Sequence, residues 1–189
     1  DVAIFNNGVM AHTAVIPVGG HQFTNDLVIS MGVPYESAEA AKLKYGHAFP
    51  ESIDPDEMIE LSGYKDEPSH MVRRRDLCRM LNDRGTELLR LILLKVRESG
   101  LEVMPPAGVV FTGGGSNIPQ WRDLAREEIP GPVRIANPKN VLGLPDALKN
   151  PTYSTSVGIL LWGIHHPTEQ RSYRTKNGKG QFWKGRRWL

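Results

Sequence analysis

Residues 107–128 read A-G-V-V-F-T-G-G-G-S-N-I-P-Q-W-R-D-L-A-R-E-E, and the order of residue types predicts a strand, a tight turn and a helix. Val109, Val110 and Phe111 form a β-branched and aromatic run bounded by glycines, the pattern of a short buried strand. Gly113, Gly114 and Gly115 end it. Residues without a Cβ admit positive φ and let a ligand come within contact distance of the main chain. Pro119 suits the first turn of a helix, where its missing N–H costs nothing. Trp121, Leu124, Ala125 and Ile129 then fall on or near one apolar face. A strand, a glycine turn and a helix N-terminus are the usual parts of a nucleotide cradle. The same triplet also serves as a plain strand-to-helix turn, and at this point both readings stand.

Composition narrows the class of molecule. With 189 residues, 40% apolar and 23% charged, the chain can build a core for one domain or two small lobes. Its longest apolar runs, residues 91–94 and 157–162, are far short of the ~20 residues that cross a bilayer, and no leader pattern is seen. One cysteine, Cys78, excludes a disulfide framework and points to a reducing cytoplasm. Between Leu77 and Met80 in a helical pattern, it reads as a small buried hydrophobe. The net charge of +2 is uneven. Residues 166–189 hold Arg171, Arg174, Lys176, Lys179, Lys184, Arg186 and Arg187 against Glu169, a net +6 that leaves the rest at −4. The basic charge belongs to a tail.

Before the glycine turn, residues 1–5 and 10–17 are β-rich and joined by Asn6-Asn7-Gly8, a hairpin signal because Asn and Gly tolerate positive φ. A strand at the very start, without an initiator methionine, is expected where a chain is the C-terminal part of a longer one. Thr24 or Asn25 is placed to cap a helix running to Met31, stopped by Gly32-Val33-Pro34. A second helix, residues 36–45, carries Ala38, Ala41 and Tyr45 on one side and ends at Gly46. Glu39 and Lys42 sit on its adjacent turns, either as a surface ion pair worth a few tenths of a kcal/mol or as a polar grip on a ligand.

Residues 47–76 lose periodicity, contain Pro50, Pro55 and Pro68, and offer one strand at 58–61, so a small irregular inserted lobe is expected. Arg73, Arg74 and Arg75 close it. Residues 76–99 form the strongest helical pattern, with Gly85 its weak position. Residues 132–135 read as a strand. Residues 152–163 are small and apolar on nearly every side, which predicts a helix buried by close packing, with Gly158 allowing backbone approach. Familiar catalytic motifs are missing: His165-His166 lacks a third ligand at workable spacing, and there is no C-x-x-C, G-x-S-x-G or P-loop.

Six segments carry a family resemblance: D-V-A-I-F (1–5), H-T-A-V-I-P-V-G-G (12–20), T-N-D-L (24–27), A-E-A-A-K-L-K-Y-G (38–46), V-F-T-G-G-G-S (110–116) and Y-S-T-S-V-G-I-L (153–160). Together they resemble the bacterial cell-division family FtsA over residues 1 to about 164. The resemblance implies an α/β protein, the second lobe of the actin/Hsp70-like (ribonuclease H-like) fold, with a mixed sheet flanked by helices. Residues 1–33 and 77–164 would be its core subdomain, 34–76 a smaller inserted subdomain, and 165–189 a basic linker and membrane-targeting tail. In this fold Gly113, Gly114, Gly115, Glu39 and Lys42 fall where the adenosine of ATP is held, with Mg2+ joining in the full-length protein. Asp1 would be the last residue of a phosphate loop, so an ATP-binding scaffold is expected, at most a slow ATPase in full length, and not an enzyme.

The same resemblance implies partners. The family tethers the tubulin-like ring protein FtsZ to the cytoplasmic face of the cell membrane at the division site, helps recruit the rest of the division machinery, and self-associates into actin-like protofilaments. Arg73, Arg74, Arg75 and Arg79 stand where the FtsZ C-terminal peptide is received, and arginines suit carboxylates. Phe182, Trp183, Lys184, Arg186, Arg187, Trp188 and Leu189 form the membrane-binding end, aromatic groups entering the headgroup boundary and cations facing anionic lipid. Phe182 and Leu189 share a helical face that Trp183 and Trp188 flank widely, so binding is expected to draw on several copies at once. No nucleic-acid partner is expected. Two other readings share this core: a pilus-assembly scaffold like PilM, and an enzyme of the sugar-kinase branch.

Overall fold

The structure, a computed structural model, describes residues 1–65, 68–101, 104–139 and 141–166. Strands β1 (Val2–Asn6) and β2 (Val9–Ala14) pair antiparallel. Asn7 (φ 50°) and Gly8 (φ 78°) make the turn between them, as Asn-Asn-Gly leads one to expect. Helix α1 (Gly20–Met31) is capped at Gly19, five or six residues earlier than its candidate caps Thr24 and Asn25 suggest. Gly19 donates its N–H to Gln22 Oε1 and accepts from Gln22 N, both at 2.9 Å, a reciprocal pairing that needs no Ser or Thr. Thr24 therefore lies inside the helix. Helix α2 (Tyr35–Tyr45) follows directly and packs on α1.

Residues 46–73 hold more order than their composition implies. β3 (Met58–Leu61) pairs antiparallel with β4 (His70–Arg73), a strand whose sequence gives almost no alternating signal. Ile59 and Leu61 point inward at 4% and 2% exposure and pull the hairpin onto α2 and α3 (Arg74–Glu98). Asn82 Nδ2 donates to Ala48 O at 2.7 Å, and Ala48 N donates to Pro119 O at 3.0 Å, so this segment is also held at the glycine-turn side.

Helix α3 is the central support. Leu77, Cys78, Leu81, Leu89 and Val96 are buried along it. Gly85, weak by helix propensity, has a packing reason: a Cβ there would lie 2.9 Å from Trp121 Cζ3 and 3.0 Å from Leu124 Cδ2. Those residues belong to helix α4 (Trp121–Glu128), which follows β5 (Val109–Phe111) and precedes β6 (Val133–Ile135). β5 and β6 run parallel in register Val109↔Val133, so β5, α4 and β6 form a crossover unit. Pro119 lies outside α4 rather than in its first turn: Gln120 takes a left-handed conformation (φ 60°) and the helix begins at Trp121. The core side of α4 is as expected, with Trp121, Leu124, Ala125 and Ile129 all at 3% exposure or less. Trp121 meets Phe111 and Phe23 edge-on, at 5.9 and 6.2 Å between ring centroids.

The sheet is thus divided: the described residues form three two-stranded sheets, two antiparallel and one parallel, flanked by helices. The last described helix, α5 (Ser154–His165), departs from expectation. Only Val157 is buried; Ile159, Leu160, Trp162 and Ile164 are 62–70% exposed, and a Cβ on Gly158 would meet no atom within 4 Å. Apolar composition supplies the wish for a partner, and no described element covers this helix.

Candidate functional site

Between β5 and α4 the backbone folds back on itself. Gly113 has φ 92°, a conformation that favours glycine, and residues Gly114–Asn117 form a 3-10 turn. Ser116 is 5% exposed; its N–H and Oγ both donate to Gly113 O, at 3.1 and 2.7 Å. Residues 150–154 clamp one side of the turn. Gly113 N donates to Pro151 O at 3.0 Å, and Asn117 Nδ2 donates to Asn150 Oδ1 and Thr152 Oγ1 at 2.9 and 3.0 Å. Thr112 Oγ1 donates to Ala136 O and lies 2.5 Å from Ser154 Oγ. A Cβ on Gly114 would face Thr152 at 3.6 Å, whereas one on Gly113 or Gly115 would meet no atom within 4 Å. Of the three, Gly115 is the one that lines the neighbouring cleft.

Across from it stands the N-terminus of α1. Gly19 and Gly20 share a cavity of about 190 Å3 with Gly115, Ser116, Thr112 and Asp1, floored by Phe23 and Trp121. The Glu39–Lys42 pair joins this wall from behind. Lys42 Nζ donates to Gly20 O (2.9 Å), Thr24 Oγ1 (2.7 Å) and Glu39 Oε2 (2.7 Å), which uses all three ammonium protons. Thr24, fully buried, also meets Glu39 Oε2 and Gly20 O. A hydroxyl has one proton, so it serves one acceptor at a time. Lys42 is 9% exposed by side chain and Glu39 33%. The pair is an α1–α2 clamp with one partly open carboxylate rather than a surface ion pair. Burial pushes the Glu39 carboxyl up, but the hydrogen bonds from Lys42 and Thr24 and the charges of Lys42 and His21 outweigh it and hold it below its ordinary value.

Of the five residues expected at a nucleotide, the structure brings Gly115 to the cleft and sets Glu39 and Lys42 behind Gly20. Gly113 and Gly114 turn toward residues 150–154. Reading the sequence missed Gly19, Gly20, Asn117, Asn150 and Thr152, whose signals, a Gly-Gly before a helix and an Asn-Pro before another, look like ordinary punctuation. Outside the turn, α4 and β6 border an open furrow of about 690 Å3 that includes Asn117, Arg122, Arg126, Arg134 and Asn150.

The arginine cluster divides. Arg74 Nη1 reaches both carboxylate oxygens of Glu57 (3.0 and 3.1 Å) and Arg74 Nε donates to Tyr45 O, while Arg75 donates twice to Ile53 O. These two hold the inserted segment against α3. Arg73 and Arg79, 62% and 55% exposed, share Asp76 as their one ion-pair partner among the described residues. Cys78 is buried with its Sγ near Tyr45 O, and burial pushes its thiol up. Among the described residues no three His, Cys, Asp or Glu side chains gather as metal ligands, and no helix is long and apolar enough to cross a membrane. Phe182, Trp183, Lys184, Arg186, Arg187, Trp188 and Leu189 lie outside the described residues.

A strand, a glycine turn and a crossover helix facing a second helix across a small cleft make this chain a lobe of the actin-like class. The fold matches that of MreB5 of Spiroplasma citri, solved bound to ADP, with a TM-score of 0.59 over 89% of this chain and 51% of that one, at 16% identity. Within that class the chain belongs to the FtsA family of cell-division proteins: the family model described as cell division protein FtsA matches residues 1–158. FtsA of Pseudomonas aeruginosa is 38% identical over 172 residues, 91% of this chain and 41% of that protein. FtsA of Neisseria meningitidis is 33% identical over 197 residues, all of this chain and 47% of that protein. The chain thus spans less than half the length of these relatives. Family membership decides between the readings left open by resemblance, in favour of FtsA over the pilus scaffold and the sugar kinase.

Proposed function

We propose that this chain is the second lobe of an actin-like, ATP-binding division scaffold that tethers FtsZ to the cytoplasmic face of the membrane. The observation that carries the nucleotide half is the cleft: an unobstructed Gly115 facing the N-terminus of α1, whose Gly20 carbonyl is tied to Lys42. A backbone without side chains on one wall and helix N–H groups on the other suit a purine nucleoside and its phosphate. Gly113, Gly114 and Gly115 shape the turn, the partly open Glu39 carboxylate held by Lys42 is the group available to ribose hydroxyls, and Asp1, the one carboxylate among the described residues lining the cleft, would be the group offered to Mg2+. The ADP in the Spiroplasma MreB5 structure supports this reading by fold. The test is direct: in the full-length protein, Gly115→Val is expected to abolish binding of a fluorescent ATP analogue at an unchanged melting temperature. Binding as tight as the parent's would leave the turn a structural feature only.

The inserted residues 34–76, beside the core of 1–33 and 77–164, receive the acidic FtsZ C-terminal peptide in this reading. Arg73 and Arg79 are the contacts to test, since both are exposed and share a single carboxylate among the described residues, whereas Arg74 and Arg75 are committed to Glu57 and Ile53. Residues 165–189 act as linker and membrane anchor, and polymerised copies add their weak sites. Full-length protein is expected to float with anionic liposomes and to lose this when residues 180–189 are deleted.

A further inference from the structure

Helix α3 carries an acidic surface that neither the cleft nor the inserted hairpin uses. Asp83 and Glu87 project from it into two adjoining furrows. One, about 290 Å3, lies against α1 with Asp26 and Ile29; the other, about 650 Å3, lies against α4 with Glu127 and Glu128. Arg84 answers Asp26 (2.6 Å) and Glu87 (2.5 Å), and Arg90 answers Glu128 (3.2 Å). Asp83 and Glu127, both exposed, enter no ion pair among the described residues. Apolar surface is interleaved: Ile29 is 81% and Leu94 47% exposed. A surface of net negative charge with aliphatic side chains between the acids fits a basic segment that carries aromatic groups.

The chain itself holds such a segment. Residues 171–189 contain seven Lys or Arg, no acid, and Phe182, Trp183, Trp188 and Leu189. From the observed charge and apolar pattern we infer that this acidic face of α1, α3 and α4 is a docking site for the chain's own residues 171–189. Covalent attachment favours this occupant over a separate basic peptide, because it raises the local concentration to the millimolar range. The chain is also long enough: the sixteen residues that follow His166, through Phe182, reach up to roughly 55 Å when extended, more than the roughly 40 Å breadth of a domain of this size. Individual surface pairs are weak and screened, so docking is reversible and salt-sensitive. An anionic membrane would compete for the same cations. The inference rests on the charge pattern and does not require the tail to bind membrane.

A photo-crosslinking side chain placed at Trp183 of the full chain, irradiated at low protein concentration and mapped by mass spectrometry, tests it. Crosslinks within one chain are expected to residues 83–94 and 124–128. They should fall about five-fold in Asp83→Lys with Glu127→Lys, a pair of exposed sites whose reversal leaves the circular dichroism unchanged, and fall again in 0.5 M salt (screening length about 4 Å). Crosslinks spread over the surface, a yield unmoved by the reversals, or crosslinks between two chains that rise with concentration would overturn intrachain docking. Liposome flotation is read separately. A tail that crosslinks but does not float removes the membrane reading alone, and a tail that floats but does not crosslink removes this one.

Discussion

Helices α4 and α5 lie on either side of the glycine turn and contrast in composition and burial. α4 is charged at Arg122, Asp123, Arg126, Glu127 and Glu128, yet Trp121, Leu124 and Ala125 are 3% exposed or less. α5 is apolar from Val157 to Ile164, interrupted only by glycines, yet buries Val157 alone. An amphipathic helix has a direction: its stripe of apolar groups selects the face that meets α3, where Gly85 leaves room. A uniformly apolar helix selects no face, and its burial depends on whether anything comes to cover it. Hydrophobicity sets how much a helix gains by burial, and patterning sets whether its own lobe can supply it.

The sharpest way to break this contrast is at Trp121. Trp121→Ala empties the contact among Phe23, Phe111 and Gly85 and is expected to cost about 3 to 5 kcal/mol by denaturant titration. Trp121→Phe should cost less than half as much. It keeps most of the ring and removes an indole N–H that is buried without a hydrogen-bond partner among the described residues, a group expensive to leave unpaired. Equal losses for the two variants would show that the indole N–H is satisfied. Gly85→Ala, whose methyl would meet Trp121 and Leu124 at 2.9 and 3.0 Å, is expected to lose about 1 to 3 kcal/mol by overpacking, against the usual gain of Gly→Ala in a helix.

Where pattern and partner agreed, the fold was legible in advance. The Asn7-Gly8 turn, the strand at Val109 and the apolar face of α4 all follow from local geometry. Two misses have one cause each. β4 is recognisable only by its pairing with β3, since His70, Met71, Val72 and Arg73 show no alternation strong enough to stand alone. The start of α1 at Gly20 rests on Gln22 returning a hydrogen bond, which composition cannot show. At the site, the triplet was visible as three glycines, but that Gly114 is the one faced by a side chain is decided by Thr152, 38 residues further along the sequence. Glu39 and Lys42 were visible as neighbours on a helix; their third partner, Thr24, comes from another element.

Helix α2 stands between the two extremes, because it is held on α1 by the Glu39–Lys42–Thr24 clamp as well as by Ala38 and Ala41. Lys42→Met leaves Glu39 without its cation and is expected to cost about 1 to 2 kcal/mol. The pH dependence carries the sign. Glu39 is held below its ordinary value of 4.5, so the folded state binds its proton less readily than the unfolded chain. Its contribution is fully present above the unfolded pKa and is lost as pH falls through the lower folded value. Glu39→Gln should flatten the stability curve on the acid side of pH 4.5, and an unchanged acid limb would mean the clamp contributes nothing to folding.

The smallest effect is expected at α5, and it is the one that separates composition from burial. Ile159→Lys, Leu160→Gln and Ile164→Lys change side chains that are 66%, 67% and 70% exposed, and each should shift stability by no more than about 0.5 kcal/mol. Val157→Lys on the same helix, at 5% exposure, buries a charge without a partner and should cost several times more. Exposed apolar surface drives association, so the three outer substitutions together should also reduce light scattering at high concentration while Val157→Lys increases it. If the outer variants instead melt as early as Val157→Lys, α5 is covered in solution, and its exposed side chains already have the partner that the described residues of this lobe do not supply.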